Sequence, residues 1–407
     1  MRLPLTLLII CTIATNTLAQ VFTKEDSLQA GLVRSNQATV LSGYGQAKVQ
    51  YDLRYKTGVA NLTRNVLFVG HKFSNRVYFF SEMELENAGI SSGGGGFKGE
   101  LSMEQLFLKF NINRDIYLTA GLFIPRIGII NENHLPTTFN GNDRPFVETF
   151  LIPATWRELG IGVYGNVRRI PGLNYSFAVL NGLNSAGFNN GTGIADGRFE
   201  GGNATASNIA LTGALLYYYR NFRLQASGYF GGSSGLVKRV ADSLQLRSGA
   251  FGTPVGLVEA NAQYHNKGVS LKALAVSAHI PDAYRVNRAY ANNTPASMLG
   301  AYAEAGYNFL KIWSDGTTKN LTLFVRYEWM DLNRTLPANG IVNGTLRKSF
   351  VVTGITFQPT QGIAVKLDYV MRQTGERNPE LIVTPFPSLL PYYTSNGFIN
   401  LGFGYSF

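Results

Sequence analysis

The residues with the greatest chemical capacity in this chain crowd one stretch, TAGLFIPRIGIINENHLPTTFNGNDRPFVETFLIPATWRELGIGVYG, residues 119–165. Arg126, Arg144 and Arg157 share it with Asp143, Glu148 and Glu158. Opposed acidic and basic groups lining a narrow aqueous passage set up a transverse field that orients polar solutes, whereas rings of one sign select ions. The same charges have a plainer use, pairing with one another to pin the segment in place. Prolines at 125, 136, 145 and 153 interrupt regular structure there. Phe139, Phe146, Phe150 and Trp156 give the stretch more apolar mass than a disordered linker carries. A connection of this length inside a compact architecture is usually functional.

Other chemistries find little support. His71, His134, His265 and His279 are widely spaced and form no H-x-x-x-H or H-E-x-x-H pair, so neither a metal site nor a cofactor is expected. The single cysteine, Cys11, lies in the N-terminal apolar run. Once that run is removed, disulfides and thiolate chemistry go with it. Gly160-Ile-Gly-Val-Tyr-Gly165 matches the dinucleotide string G-x-G-x-x-G, but it falls inside a strand rather than between a strand and a helix, so it is not a phosphate cradle. His279 is the one residue that suggests a lipid-acting enzyme, as half of a His–Ser pair at an outer rim. No catalytic constellation is otherwise recognisable, and an enzyme is not expected.

The elements that must position the 119–165 segment follow from alternation. In 361–372, Ile363, Val365, Leu367, Tyr369 and Met371 share one face, with Lys366, Asp368 and Arg372 on the other. In 397–407, Ile399, Leu401, Phe403, Tyr405 and Phe407 alternate with Asn400, Gly402, Gly404 and Ser406. Side chains of a strand point to opposite faces in turn, so one face of such a strand meets lipid and the other the lumen. Sixteen runs of this kind are predicted, near 40–52, 61–73, 75–86, 102–110, 116–125, 157–166, 172–181, 206–219, 222–231, 254–265, 268–279, 298–309, 319–331, 346–357, 361–372 and 397–407. All the long connections between them are odd-numbered. That parity is expected of an antiparallel transmembrane barrel with short periplasmic turns and long external loops. The third such loop, near 126–156, is the one expected to fold inward.

Composition agrees. Charged residues are 15% of the chain, against about 25% in soluble domains, while Tyr (21), Phe (26) and Gly (45) are abundant. Residues 1–19 read as a signal peptide, with Arg2, an apolar run over 3–13, and small residues before a cleavage point at Gln20. Residues 20–39 form a polar N-terminal segment on the periplasmic side, and 40–407 the barrel. The net charge is +11, or +10 once Arg2 is lost with the leader. Export argues against nucleic acid, which leaves an anionic solute or a basic rim. The terminal Phe407 closes an alternating strand, as a signal for barrel-assembly machinery does.

GLFIPRIGIINENHLPTTF, DRPFVE and IPATWRELGIGVYG resemble the phosphate-selective porin O and P family, in its Bacteroidetes-like form. The resemblance is specific over 116–165, and the general plan extends across the mature chain. It implies a sixteen-stranded outer-membrane porin of a Gram-negative cell, a homotrimer with a loop folded into the lumen and basic residues lining an anion path. Arg126, Arg144 and Arg157 are the matching candidates at the constriction. On the inward faces, Lys48, Lys109, Lys272, Arg326, Lys366 and Arg372 are interleaved with Glu82, Glu84, Glu158, Glu259, Glu304, Glu328 and Asp368, so the sign of ion preference stays open. The expected function is passive diffusion of small hydrophilic solutes or inorganic ions through an outer-membrane barrel. The alternative is ligand binding or adhesion through external loops such as 182–205 or 232–253.

Overall fold

The computed structural model describes residues 37–90, 98–312, 317–379 and 392–407. The expected leader and most of the segment after it lie outside these residues. Sixteen antiparallel strands close into one barrel. They are β1 (Thr39–Asp52), β2 (Thr57–Lys72), β3 (Val77–Ile90), β4 (Lys98–Asn111), β5 (Ile116–Phe123), β6 (Glu158–Asn166), β7 (Leu173–Asn181) and β8 (Ile209–Tyr219). The second half comprises β9 (Phe222–Gly231), β10 (Val255–Asn266), β11 (Val269–His279), β12 (Ser297–Asn308), β13 (Asn320–Thr335), β14 (Arg347–Thr360), β15 (Ile363–Thr374) and β16 (Ser395–Ser406). Each expected strand has its counterpart, and each pairs with its neighbours in sequence.

Closure is made by β1 and β16, whose register runs from Tyr44↔Ser406 to Asp52↔Phe398. Gly43 and Phe407 exchange backbone hydrogen bonds of 3.3 and 3.0 Å just beyond it. Closing the sheet removes the unpaired edge that hydrocarbon cannot solvate.

Period-two alternation decides which residues face out. Val49, Leu367 and Leu401 lie side by side in the β1–β16–β15 register and are 50, 48 and 54% exposed. In the same strands Lys366, Asp368 and Asn400 turn inward and are buried. At the short-turn end, the periplasmic end of such barrels, outward aromatics gather. Tyr217 stacks on Tyr219, Phe222 packs on Tyr264, and Tyr405 stacks on Phe407. Rings that combine an apolar body with a polar tip suit that interface.

Two features depart from the expected pattern. The first connection is a tight turn, Leu53–Lys56, where the Asp52 carboxylate accepts the amides of Arg54 and Tyr55 at 2.9 Å each and Lys56 takes a left-handed φ of 55°. β2 therefore begins at Thr57, not near 61. The inward face is also only partly polar. Phe68, Phe80, Phe107, Leu257, Val276 and Met330 point into the lumen and are buried there. The lumen of β2 to β4 and β10 to β13 therefore has an apolar lining that must be covered.

Substituting an outward residue at mid-height tests this assignment of faces. Leu401→Arg is expected to destabilise the folded barrel in vesicles by about 2–4 kcal/mol, measured by urea titration. Leu401→Phe, apolar at the same outward position, is the control for effects unrelated to charge in lipid.

Candidate functional site

The cover is the connection between β5 and β6, residues 124–157. The chain leaves the wall after Phe123, two residues beyond Gly121, whose φ of +136° and close approach to the Leu106 carbonyl and Phe107 exclude a side chain. It then turns into the lumen instead of out to solvent. Ile127, Ile129, Leu135, Val147, Leu151, Ile152 and Trp156 are all buried, packed on the inward apolar residues of the wall, and Ile130 is buried beside them. A short helix, α1 (Phe146–Leu151), crosses beside β12 and β13, and Phe146 stacks on Phe350 of β14 at 4.2 Å. At about 25 cal/mol per Å² of apolar surface covered, such burial is the main force holding the segment in the barrel. It also explains why the loop is rich in isoleucine and aromatics.

Burying irregular backbone leaves amides and carbonyls that strand pairing cannot satisfy. Carboxylates take the amides. Glu259 accepts from Gly128 at 3.3 Å, Asp368 from Asn142 at 2.7 Å and Glu328 from Val147 at 2.8 Å. Glu148, in α1, accepts from both Ile129 and Ile130 at 2.8 Å and from the Tyr302 hydroxyl at 2.7 Å. Wall donors take the carbonyls. Arg326 donates to Asn140 and Asp143 at 3.3 and 3.2 Å, Gln225 to Gly128 at 3.1 Å and Gln358 to Thr137 at 2.7 Å.

The charged candidates thus divide. Glu148, Glu158, Arg326 and Lys366 are almost wholly covered. Arg326 bridges Glu304 at 3.1 Å and Glu328 at 2.8 Å. Glu158 accepts from the Trp156 indole at 3.2 Å and Asn181 at 2.6 Å. Arg144 donates to the carbonyls of His134 and Ala154 at 3.5 Å. Burial, and then the nearby Arg64, lower its pKa to about 10, so it remains cationic at neutral pH. Arg126 pairs with Glu132 at 3.0 Å over the Tyr164 ring, and Arg157 with Glu200 at 2.8 Å. Asp143, paired with Lys48 at 2.5 Å, faces open space.

That space lies on both sides of the loop. On the long-loop side, a cavity of about 520 Å³ is lined by Lys48, Asp143, Phe150, Lys348, Arg372 and Arg377 among others. On the short-turn side, one of about 270 Å³ includes Asn140, His265, Lys272, Lys311 and Gln358. Asp143 is the one carboxylate among the described residues lining either. Lys348 and Arg372 sit over the rings of Phe150 and Phe398 at 4.4 and 5.4 Å, and Lys366 over Phe139 at 3.9 Å. Sequence reasoning missed Lys348 and Lys311. Both stand near strand ends, where alternation no longer assigns a face.

His279 lies on the outward face of β11 at the long-loop end, with its Nε2 3.0 Å from Ser277 Oγ. The G-x-G-x-x-G string is part of β6, with Leu159 and Ile161 turned outward.

Burial raises Glu148 to about 7, against the hydrogen bonds from Ile130, Tyr302 and Ile129. A carboxyl with a raised pKa in the docked loop favours docking fully below about 4.5, and that contribution fades as pH rises through about 7. Proteinase K cleavage within 126–152 is therefore expected to accelerate between pH 5 and pH 8. In Glu148→Gln the rate should be flat across that range, after correction for enzyme activity. An equal slope in both proteins would remove Glu148 from the docking equilibrium.

No family model matches the chain. A protein of Aquifex aeolicus (strain VF5), described as uncharacterized, is 27% identical over 342 residues, covering 81% of this chain and 74% of that protein. Among solved structures, the anion-selective porin of Comamonas acidovorans superposes with a TM-score of 0.53 at 12% identity, over 91% of this chain and 99% of that one. The outer membrane channel DcaP of Acinetobacter baumannii gives 0.53 at 13% identity, over 91% and 97%. A loop-deletion mutant of OmpT, an outer membrane protein of Vibrio cholerae, gives 0.53 at 9% identity, over 91% and 100%. These likenesses establish the fold as that of the sixteen-stranded outer-membrane barrels.

Proposed function

We propose that the protein is an outer-membrane porin through which small hydrophilic solutes pass by passive diffusion, with a preference for anions. A barrel of sixteen strands is wide enough to enclose an aqueous channel, and the 124–157 loop narrows it from within. The observation that carries the reading is the division of charge. The inward carboxylates Glu259, Glu328 and Asp368 are consumed by loop amides, whereas the charged residues lining the cavities above and below the loop are lysines and arginines apart from Asp143. Lys348 and Arg372, seated on aromatic rings, direct their field into the upper cavity, where it acts on a passing anion, whereas Lys48 pairs with Asp143 and Lys272 with Glu304. The phosphate-like solute implied by the family resemblance is one member of that class. A cleaved leader, a homotrimer in outer-membrane lipid, and recognition of Phe407 by barrel-assembly machinery belong to the same proposal. Phe407 is 70% exposed beside Tyr405.

Single-channel recording in planar bilayers tests it. Deleting residues 132–150 is expected to raise the conductance several-fold. Across a salt gradient the reversal potential of the intact protein should report anion preference, and Lys348→Glu with Arg372→Glu should shift it towards cations. Equal conductance in the deletion would remove the loop as the restriction, and cation preference in the intact protein would overturn the charge argument.

The Ser277–His279 contact supports one second reading, a lipid-acting enzyme on the outer wall. Among the described residues no carboxylate is hydrogen-bonded to His279, so the group that would orient a catalytic imidazole is missing. Phospholipid hydrolysis that disappears in His279→Ala would establish this reading in place of the first.

A further inference from the structure

His134, on the inward loop, is buried to 2% exposure, yet neither of its ring nitrogens has a hydrogen-bond partner. A buried imidazole in that condition needs an explanation. Its Nε2 faces two wall carboxylates, lying 3.5 Å from Glu82 Oε2 on β3 and 3.8 Å from Glu104 Oε2 on β4. Both separations exceed an N–H···O hydrogen bond, 2.7–3.2 Å. Donors about 2.0–2.2 Å from a tetrahedral centre stand roughly 3.3–3.6 Å apart; the Glu82 separation falls in that range and the Glu104 separation lies about 0.2 Å beyond it, so a small inward shift of Glu104 completes the set. The three candidate ligand atoms lie within 4.8 Å of one another.

The surroundings hold the two carboxylates in place. Ligating carboxylates are normally held by further hydrogen bonds. Glu104 accepts from the Tyr44 and Thr155 hydroxyls, at 2.5 Å each, and Glu82 from Gln105 at 3.0 Å. The local charge also has room for a cation. Three carboxylates, Glu82, Glu84 and Glu104, stand there against two guanidiniums: Arg64 pairs with Glu84 at 3.1 Å, Arg144 is turned to the carbonyls of His134 and Ala154, and the charge of both also reaches Glu104, which leaves one net negative charge. A small cavity of about 60 Å³, lined by His134, Gln105, Asn131 and Glu132, adjoins the imidazole. It has space for a water beside the imidazole, though Glu82 and Glu104 do not line it and Lys109 and Arg126 do.

The geometry points to a divalent transition-metal site of the zinc type, formed by His134, Glu82 and Glu104, which ties the inward loop to β3 and β4. Imidazole with carboxylate suits zinc and neighbouring first-row ions better than calcium or magnesium. The inference stands apart from the conduction proposal, since a tie between loop and wall is independent of what passes.

Protein folded in detergent, stripped with EDTA and titrated with zinc chloride in a calorimeter is expected to bind one zinc per chain. His134→Gln and Glu104→Gln should lose that binding, and Thr155→Val should weaken it by about 10–100-fold. A variant with His71, His265 and His279 all changed to Gln, which leaves His134 as the only histidine of the chain, should keep it. That variant alters no residue of the cluster, so it remains informative if the cluster variants fail to fold. Cobalt added to it should give visible d–d absorption. Absence of binding in the intact protein, persistence of full binding in a folded His134→Gln protein, or loss of binding in the single-histidine variant would each overturn the site. A protonated His134 held only by its two carboxylates predicts the first of these outcomes.

Discussion

A long irregular segment inside a closed barrel must satisfy its backbone polar groups without strand partners and without bulk water. That requirement organises the rest of this structure. Each buried amide left unpaired costs on the order of 1–3 kcal/mol, and the 124–157 segment brings many of them into the lumen at once. The wall answers with carboxylates aimed at N–H groups and with Arg326, Gln225 and Gln358 aimed at carbonyls. Apolar packing of Ile127, Leu151 and Trp156 supplies the driving force, and the polar contacts fix which of many packed arrangements is adopted.

The same constraint shapes the electrostatics. A lumen with interleaved acidic and basic residues looks neutral when its charges are only counted. The loop changes the count by covering acids together with Arg326 and Lys366, and leaving other bases at its two faces. Glu148, Glu328 and Asp368 are enclosed, while Lys48, Lys348, Arg372, Lys272 and Lys311 border open space. One element thus sets the width of the passage and the sign of the charge it presents.

Much of this was legible in the sequence, for identifiable reasons. Where one face is apolar and the other polar, as in Ile363–Met371 against Lys366 and Asp368, period-two alternation locates the strand and its faces together. The inward loop stood out because prolines and aromatics coincide where alternation stops. Alternation fails at Phe68 and Phe80, where the inward face is apolar too. It also fails at Thr57, where strand pairing continues beyond the point at which lipid imposes a pattern. The meeting of His134 with Glu82 and Glu104 was not legible, because residues far apart in the chain come together only once the loop has turned inward. For the same reason Arg144 and Arg157 read as lining a pore, whereas one is turned to loop carbonyls and the other to Glu200.

The central claim is that the loop is held in the lumen by specific capture of its backbone. Amide hydrogen exchange on the bilayer-embedded protein measures this residue by residue. The amides of Ile129, Ile130, Asn142 and Val147 should exchange as slowly as strand amides such as those of Val352 and Leu367. Exchange as fast as that of an exposed loop residue such as Asn203 would contradict the account, because it would place the loop outside the grip of the wall.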